Sequence, residues 1–369
     1  MTKSATKEGT TCYAQKFAGR AATGHFRDAH RLVLSSVGIG TYLGQPDAKT
    51  DEGYAAAAVA AVESGFNVMD AAINYRFQRS ERSLGAAIGQ LAAKGFEREE
   101  IVVCTKGGYL TPDGSMPADA NEYFFREYIQ PGVFTAKDIA AGSHCMTPKF
   151  LKNQLGRSLK NLGIECVDVY YLHNPETQLS EVSKEEFLNR VREAFTFLES
   201  AVEAGEIQYY GMATWNGFRH DARARDAMQL GEIAQIAQEI AGGRHRFRFV
   251  QVPFNLGMTE ALTLGNQSLR GHHRTIMEAA SELDISLIAS ASLLQGQVAK
   301  NLPEFVAEAL GLGNDAERAL QFVRSSPGIT TALVGMSRAE HVKANARLVS
   351  IPPATVDEFG KLFARGEGA

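Results

Sequence analysis

Short apolar runs rich in Val, Ile and Leu recur along the chain, and a segment with helical character follows most of them. There are eight such runs, at residues 32–37, 66–69, 101–105, 166–172, 208–213, 249–253, 286–289 and 331–334. Apolar strands that alternate with helices are typical of a parallel sheet, because the crossover helices cover both of its faces. Eight β/α units within about 300 residues fit a closed barrel better than an open sheet. The sequence therefore predicts an α/β protein with a (β/α)8 barrel, the TIM barrel architecture, as a single domain over residues 1–369.

Two of the helices have clear end signals. Residues 51–64 begin with acidic side chains and stop before Gly65, and residues 184–204 stop before Gly205. Glycine tolerates the positive φ that often ends a helix. We therefore predict helices over both segments.

Two other segments do not fit a minimal barrel. We expect the residues before about residue 30 to form an N-terminal extension, with a hairpin that closes the bottom of the barrel. Residues 107–147, after the third strand, form an insert, since βα connections are rarely longer than about 15 residues unless they are functional or disordered. Its aromatic residues at 123–128 indicate an ordered segment. We expect it to lie at the rim formed by the carboxyl ends of the strands and to favour a bulky or ring-shaped substrate.

Charge and composition narrow the choice of partners. The formal net charge is −4, so no positive field would attract nucleic acid or an anionic membrane. No apolar run approaches the ~20 residues of a membrane span, and we expect a cytoplasmic protein. The four cysteines lack metal-type spacing. His272 and His273, interpreted as the start of a helix, have no further ligand at a suitable spacing, so no metal site is predicted.

Three ionisable residues close apolar runs: Asp70, Lys106 and His173. Taken singly, they are explained as a helix cap, a solvated loop residue and a half-buried histidine. In a β/α barrel, however, the carboxyl ends of the strands meet at one rim, where active sites lie. The sequence therefore predicts that the three side chains face one pocket.

Tyr75 lies in the loop that follows Asp70 and can reach over the same rim. A phenol with a pKa of about 10 is a poor acid at neutral pH, but an adjacent ammonium favours the phenolate and lowers that pKa. A carboxylate keeps the lysine charged, and a histidine can donate a hydrogen bond to a carbonyl oxygen. We therefore expect Tyr75, next to Lys106, to act in proton transfer.

Five motifs, in this order, resemble those of the aldo-keto reductase family. The segment GFNVMDAAINYRFQRSERSLG, residues 65–85, resembles the family's D-T-A-x-x-Y…S-E-x-x-L-G signature. The motifs GIGTY at 38–42, TKG at 105–107, YLH at 171–173 and VGMSRAEHV from residue 334, followed by Asn345, resemble the other four. Because five motifs are in register between residues 33 and 348, the resemblance is much more specific than one motif would be.

The resemblance implies a barrel that interconverts a small carbonyl compound (aldehyde, ketone or sugar) and its alcohol. Its cofactor would be a nicotinamide nucleotide, preferably NADP(H), with NAD(H) as the alternative. Tyr75 would be the general acid/base, Lys106 and Asp70 would tune it, and His173 would orient the carbonyl. Whether the protein forms a homo-oligomer stays open. The cofactor-binding residues implied by the same alignment are Gly40, Thr41, Tyr42, Asp70, Thr214, Gln251, Ser290, Leu293, Gly335, Met336, Ser337, Arg338, His341 and Asn345.

The pyrophosphate and adenosine end of the cofactor is expected at the last βα turn, residues 335–338. Backbone amides at the start of a helix suit a phosphate. Arg338 can pair with a 2′-phosphate through two hydrogen bonds.

Some positions depart from the family pattern. Ala213 and Thr214 replace a Ser-Asn pair that binds the carboxamide, Ser290 replaces an aromatic that stacks on the nicotinamide, and Gly335 lies near a frequent Lys. Two alternatives therefore stand beside the oxidoreductase hypothesis. One is a nucleotide-binding, redox-sensing barrel with little catalytic activity, and the other is an NAD-dependent sugar or polyol dehydrogenase.

Overall fold

The computed structural model describes residues 3–363, so both ends of the predicted 1–369 domain lie outside the described residues. Eight of its strands form one closed parallel barrel, in the order β3, β4, β5, β6, β7, β8, β11, β12 and back to β3. This confirms the predicted (β/α)8 barrel. The strands are β1 (Phe26–Ala29), β2 (Leu32–Ser35), β3 (Val37–Gly40), β4 (Val68–Asp70), β5 (Val102–Gly107), β6 (Val167–His173), β7 (Ile207–Ala213), β8 (Phe247–Pro253), β9 (Gln267–Leu269), β10 (His272–Arg274), β11 (Ser286–Ser290) and β12 (Ile329–Gly335).

Helices fill most of the connections between the barrel strands. Those of the described chain are α1 (Lys7–Lys16), α2 (Ala48–Ser64), α3 (Arg79–Ala93), α4 (Ala120–Phe124), α5 (Pro148–Leu162), α6 (Lys184–Glu203), α7 (Leu230–Ala241), α8 (Glu260–Thr263), α9 (Ile276–Glu282), α10 (Glu304–Leu310), α11 (Asp315–Ser325), α12 (Ala339–Asn345) and α13 (Val356–Gly360). The predictions for α2 and α6 are confirmed, and Gly65 ends α2 with a φ of 110°. Within residues 3–363, none of these helices has the length and apolar character needed to cross a membrane.

The first barrel strand is not at residues 32–37 as predicted. Leu32–Ser35 pairs antiparallel with Phe26–Ala29, and the barrel strand begins only at Val37. An apolar run does not distinguish a barrel strand from a hairpin that plugs the barrel, because both bury their side chains in its interior. Leu32 and Leu34 indeed belong to the buried cluster of the barrel interior. The expected N-terminal hairpin therefore exists, and it contains the segment that was assigned to the first strand.

The helix expected to start at His272 is also absent. Residues His272–Arg274 pair with Gln267–Leu269 in a short antiparallel hairpin. The next helix, α9, begins after Thr275, whose hydroxyl accepts from the amide of Glu278 while the Glu278 carboxylate accepts from the amide of Thr275. This reciprocal cap places the helix start at Ile276, four residues after His272.

Asp168 on β6 ties the N-terminal segment to the barrel. Its fully buried carboxylate accepts hydrogen bonds from the backbone amides of Ala5 and Val103, both at 2.7 Å, and pairs with Arg98 at 2.7 Å. Gln208 on β7 donates a further hydrogen bond at 2.9 Å. One carboxylate therefore connects three barrel strands with the chain that precedes α1.

We predict that Asp168→Asn lowers the free energy of unfolding by about 3 kcal/mol or more, because the substitution leaves Arg98 without its counter-charge. Urea denaturation followed by circular dichroism measures this change. The matched control is Glu165→Gln, since Glu165 is exposed and pairs with the exposed Lys3. The control should leave the unfolding transition in place, because exposed ion pairs contribute little. Equal effects of the two substitutions would contradict the anchoring role.

Candidate active site

A cavity of about 800 Å³ opens at the carboxyl ends of the barrel strands. It is lined by most of the residues that the sequence singled out, which come from six barrel strands, from loops that follow barrel strands, and from helix α12. These residues are Gly40, Thr41, Tyr42, Asp70, Tyr75, His173, Thr214, Gln251, Ser290, Leu293, Gly335, Ser337, His341 and Asn345.

Three of the residues singled out do not line the cavity. Lys106 is fully buried beside it. Met336 is buried in the hydrophobic core, so only its backbone is available to a ligand at this turn. Arg338 is exposed before α12, with its Nη2 2.8 Å from Nε2 of His341. Because His341 lines the cavity, Arg338 lies at its edge.

Lys106 and Asp70 form a buried ion pair below the cavity. Lys106 Nζ donates to Asp70 Oδ2 at 2.5 Å and to the carbonyl of Ala71 at 2.8 Å. The other carboxylate oxygen of Asp70 accepts from Gln251 Nε2 at 3.0 Å. Burial by itself would lower the pKa of Lys106, but Asp70 and Tyr75 together outweigh burial and raise that pKa above its usual value. Lys106 is therefore a fixed positive charge at neutral pH.

Tyr75 packs between this ion pair and the other aromatic groups of the cavity. Its ring centre lies 5.2 Å from Lys106 Nζ, 5.7 Å from the His173 ring and 4.9 Å from the Tyr42 ring. The pKa of Tyr75 is raised, because burial disfavours the phenolate more than Lys106 favours it. The sequence-based expectation of a lowered pKa is therefore wrong for the protein without a ligand, since it left out desolvation. Lys106 still opposes that rise, so it stabilises the phenolate once a proton has left.

His173 is a neutral imidazole held from two sides. Burial, followed by the charge of Lys106, lowers the pKa of His173 well below its usual value. Its Nδ1 lies 3.2 Å from Asn74 Oδ1, and its ring packs edge-on against Tyr109 at 5.2 Å. Nε2 of the buried His144 contacts the His173 carbonyl at 2.8 Å. These contacts fix the ring beside Tyr75.

The turn directly after Tyr75 has a strained backbone. Arg76, Phe77 and Gln78 have φ values of 48°, 57° and 71°, a region that non-glycine residues rarely adopt. The Arg76 guanidinium lies 2.5 Å from Asp51 Oδ1 and 4.7 Å above the Tyr54 ring. Since three such residues follow one another, these contacts must hold the turn, and with it Tyr75, in place.

The insert at residues 107–147 contributes little to the cavity. Of its residues, all of which the structure describes, Tyr109 alone lines the cavity. Tyr128 and Phe134 stack at 5.5 Å and pack with Phe150 of α5 in a separate hydrophobic cluster. Tyr123, Phe124 and Tyr128 therefore belong to this small core, while Phe125 is exposed outside the cavity. The inference from this stretch to a bulky substrate loses its basis.

Several lining residues were missed by the sequence analysis: Asn74, Tyr109, Asn174 and Trp215. Asn74 directly precedes Tyr75, and Asn174 directly follows His173. The sequence did offer a signal for these two residues, because each adjoins a predicted catalytic residue at the end of a strand. Tyr109 lies within the insert, where nothing in the sequence separates a lining residue from a packed one.

The residues present fit a nicotinamide nucleotide. Thr214 Oγ1 is buried at the cavity without a hydrogen-bond partner in the described chain, and a carboxamide could satisfy it. At Gly40 the space that a Cβ would occupy is bounded only by atoms 3.8 Å or more away, and at Gly335 it is open. Both glycines line the cavity, so the chain leaves room there for a flat ring and for phosphates. In residues 3–363 no group of three His, Cys, Asp or Glu side chains is placed to hold a metal ion.

Comparison with known proteins agrees with this geometry. The model of the Aldo/keto reductase family matches residues 36–364. A protein from Schizosaccharomyces pombe, named as a candidate voltage-gated potassium channel subunit beta, is 25% identical over 77% of this chain and 75% of its own length. The 6-dehydroglucose reductase of Novosphingobium aromaticivorans is 23% identical over 91% of this chain and 93% of its own length.

Solved structures share the fold. A crystal structure of an aldo/keto reductase from Klebsiella pneumoniae, in complex with NADP and acetate, superposes with a TM-score of 0.61 at 19% identity and covers 93% of this chain and 95% of that one. Since the family match extends over most of the sequence and over every barrel strand, the chain belongs to the aldo/keto reductase family.

Proposed function

We propose that this protein is an NADPH-dependent carbonyl reductase in which Tyr75 delivers the proton. The observation that carries the proposal is the convergence of Tyr75 and His173 on one cavity above the buried Lys106–Asp70 pair. Membership of the family makes the chain an NAD(P)-dependent oxidoreductase. Beyond family membership, we propose that Tyr75 is the residue that donates the proton.

Residues at opposite sides of the cavity would hold the cofactor. Thr214 and Gln251 offer hydrogen bonds to the carboxamide, and the Gly335–Ser337 turn offers backbone amides to phosphate. The Klebsiella pneumoniae structure, which has the same fold, was solved with NADP. When bound, a reduced nicotinamide supplies a hydride to the carbonyl carbon.

Side chains of the protein would orient and protonate the carbonyl oxygen of the substrate. As negative charge develops on the carbonyl oxygen, the Tyr75 hydroxyl donates its proton to it and the alcohol forms. The phenolate left behind is stabilised by Lys106, whose charge Asp70 maintains. His173 is neutral and carries one ring proton. To orient the substrate oxygen that proton must lie on Nε2, so Nδ1 is an acceptor, and the Asn74 amide that contacts Nδ1 would present its NH2 group to it. In alcohol oxidation the same phenolate takes the proton back.

Two other functions remain candidates, each with an observation behind it. One is the nucleotide-binding barrel with little turnover, and the Schizosaccharomyces pombe relative, which is named as a channel subunit and not as an enzyme, favours it. The name of the Novosphingobium aromaticivorans relative connects that relative to sugar chemistry, and the reverse of such a reduction is the dehydrogenase reaction. An assay of NADPH oxidation with a panel of aldehydes, and of NAD and NADP reduction with polyols, separates them.

We expect Tyr75→Phe to lower kcat by at least about 10²-fold, because it removes the proton donor and keeps the ring. NADPH affinity should change little. Steady-state reduction of an aldehyde and a fluorescence titration measure the two quantities. The control is Tyr209→Phe, which removes the hydroxyl that donates to the carbonyl of His30, away from the cavity. If Tyr75→Phe keeps the kcat of the wild type, Tyr75 is not the proton donor.

We also expect Arg338→Ala to remove most of the preference for NADP over NAD. A guanidinium paired with a phosphate gains a charge-assisted hydrogen bond that a ribose hydroxyl does not offer, which corresponds to about ten- to a hundredfold in Kd. The ratio of the two dissociation constants can be read from the fluorescence of Trp215, the single tryptophan of the chain, which lines the cavity.

Lys343→Ala is the matched control, since Lys343 is an exposed cation on α12, the helix that Arg338 precedes, and does not line the cavity. It should leave the NADP to NAD ratio unchanged. If the wild type binds NAD as tightly as NADP, the proposed role of Arg338 is wrong, and the NAD-dependent dehydrogenase becomes the better proposal.

A further inference from the structure

Glu176 is a buried carboxylate without a counter-charge. It lies three residues after His173, in a short 3-10 turn over Pro175–Ser180 that follows β6, and it is 5% exposed. Within residues 3–363 no lysine, arginine or histidine pairs with it, and its Oε2 is buried without a hydrogen-bond partner. Burial of a carboxylate is costly unless hydrogen bonds replace the lost water. The bonds that its other oxygen makes must therefore hold this charge.

That other oxygen, Oε1, accepts from three consecutive backbone amides of the loop after β7. It lies 2.7 Å from the amide nitrogen of Trp215, 2.9 Å from that of Asn216 and 3.3 Å from that of Gly217. In the described chain these three amides donate to no other group. Successive N–H groups that converge on one point form an anion-binding nest. Burial raises the pKa of Glu176 and the backbone amides oppose that rise, so they are what stabilises its charge.

A glycine allows the loop to approach this carboxylate closely. A Cβ at position 217 would lie 3.3 Å from Cβ of Glu176 and 3.1 Å from Sδ of Met228. Both distances are shorter than an ordinary van der Waals contact. Gly217 therefore lies where the loop rests directly on the Glu176 side chain.

The loop held by Glu176 carries two residues of the cavity. Thr214 directly precedes the first of the three amides, and Trp215 contributes that amide. Both residues line the cavity. The hydroxyl of Thr214 is buried without a partner in the described chain, and the ring of Trp215 is 43% exposed. The conformation of this loop therefore decides where the hydroxyl and the indole lie.

The same contact connects the substrate side of the cavity with the cofactor side. β6 and β7 are neighbours, and His173 lies opposite Ala213. The amide of Asn174 donates to the Ala213 carbonyl at 2.6 Å, which links the two loops where they begin. Glu176 links them again farther along both loops. Because His173 would orient the carbonyl and Thr214 the carboxamide, the second link fixes their relative positions.

The carbonyl groups of the loop have partners of their own. Nε of Arg219 donates to the Trp215 carbonyl at 2.9 Å, and the amide of Met228 donates to the Gly217 carbonyl at 2.7 Å. These bonds do not involve Glu176. Loss of its carboxylate should therefore loosen residues 214–217 and leave the barrel folded.

We propose that Glu176 is a positioning residue, which holds Thr214 and Trp215 in the conformation that receives the cofactor. The loop is then ordered before the cofactor binds, so binding does not have to order it. This inference rests on the proposed NADPH-dependent function and deepens it. Its first test needs no cofactor.

Trp215 reports on the loop directly, because it is the single tryptophan of the chain. In the protein without cofactor, time-resolved fluorescence anisotropy separates fast motion of the indole from tumbling of the whole protein. In Glu176→Ala the amplitude of the fast component should rise by about twofold or more, because three amides lose their acceptor. Glu176→Gln should give a smaller rise, since its oxygen can still accept but carries no charge.

The affinity for NADPH provides the second test. Isothermal titration calorimetry, which does not depend on the tryptophan signal, should show that Glu176→Ala raises the Kd by about tenfold or more, because NADPH must then order the loop. Glu176→Gln should raise the Kd by less. With saturating NADPH, kcat for an aldehyde should change less than the Kd, because Tyr75 and Lys106 are untouched.

Glu199→Ala is the matched control. The Glu199 carboxylate, on α6, accepts from the amide of Arg246 and from the Tyr210 hydroxyl, both at 2.8 Å. It does not line the cavity, and Arg246 lies at the amino end of β8. The control removes the same kind of bond from the opposite end of the barrel, so the anisotropy and the Kd should equal those of the wild type. Thermal unfolding shows that each variant is folded, and Glu176→Gln provides the test if Glu176→Ala does not fold.

Different results separate the two proposals. If the folded Glu176 variants keep the wild-type anisotropy or the wild-type Kd, the positioning role is overturned while the reductase proposal stands. The role is also overturned if Glu199→Ala changes both quantities as much as Glu176→Ala does. If the wild type binds NADPH but reduces no carbonyl compound, the reductase proposal fails, and the predicted changes in anisotropy and Kd still support the positioning role. If the wild type does not bind NADPH, both proposals fail.

Discussion

The buried ion pair between Lys106 and Asp70 is the interaction on which the site depends. Removing both charges from water carries a large desolvation cost, which short contacts and additional hydrogen bonds must offset. Here the carbonyl of Ala71 and the amide of Gln251 supply those bonds. β4 ends at Asp70 and β5 carries Lys106, and these two strands are adjacent in the barrel. The pair therefore requires β4 and β5 to be paired, and the bond from Gln251 on β8 to Asp70 requires the closed barrel. The pair places a permanent positive charge below Tyr75.

Stability and chemistry are located at opposite ends of the barrel. The N-terminal hairpin fills one end with Leu32 and Leu34, and Asp168 ties that end to the preceding chain. The other end carries the cavity and the strained turn after Tyr75. The left-handed residues 76–78 must be held by tertiary contacts, such as that between Arg76 and Asp51 on α2. The position of the Tyr75 phenol therefore depends on the helices packed around the barrel.

The sequence predicted the barrel and most of the residues around the cavity, because apolar strands and polar strand ends are local patterns. The first strand was misplaced, since a plug hairpin and a barrel strand bury the same kind of residue. The pKa of Tyr75 was predicted in the wrong direction because desolvation depends on the surrounding fold. Asn74 and Asn174 were missed although each adjoins a predicted catalytic residue in the sequence, because their contacts with His173 and Tyr109 arise only in the folded protein.

The pH dependence of kcat/KM for carbonyl reduction, compared between the wild type and Lys106→Met, tests the central claim most directly. The pKa of Tyr75 is raised and that of His173 is lowered, so the phenol keeps its proton and the imidazole stays neutral across the range between them. The wild type should therefore show a plateau from about pH 6.5 to about pH 9.5. Lys106→Met, checked for folding and NADPH binding, should lower that plateau by about 10²-fold or more, because the phenolate loses its stabilising charge. An inflection near neutral pH in the wild type, or a wild-type plateau in folded Lys106→Met, would contradict the account.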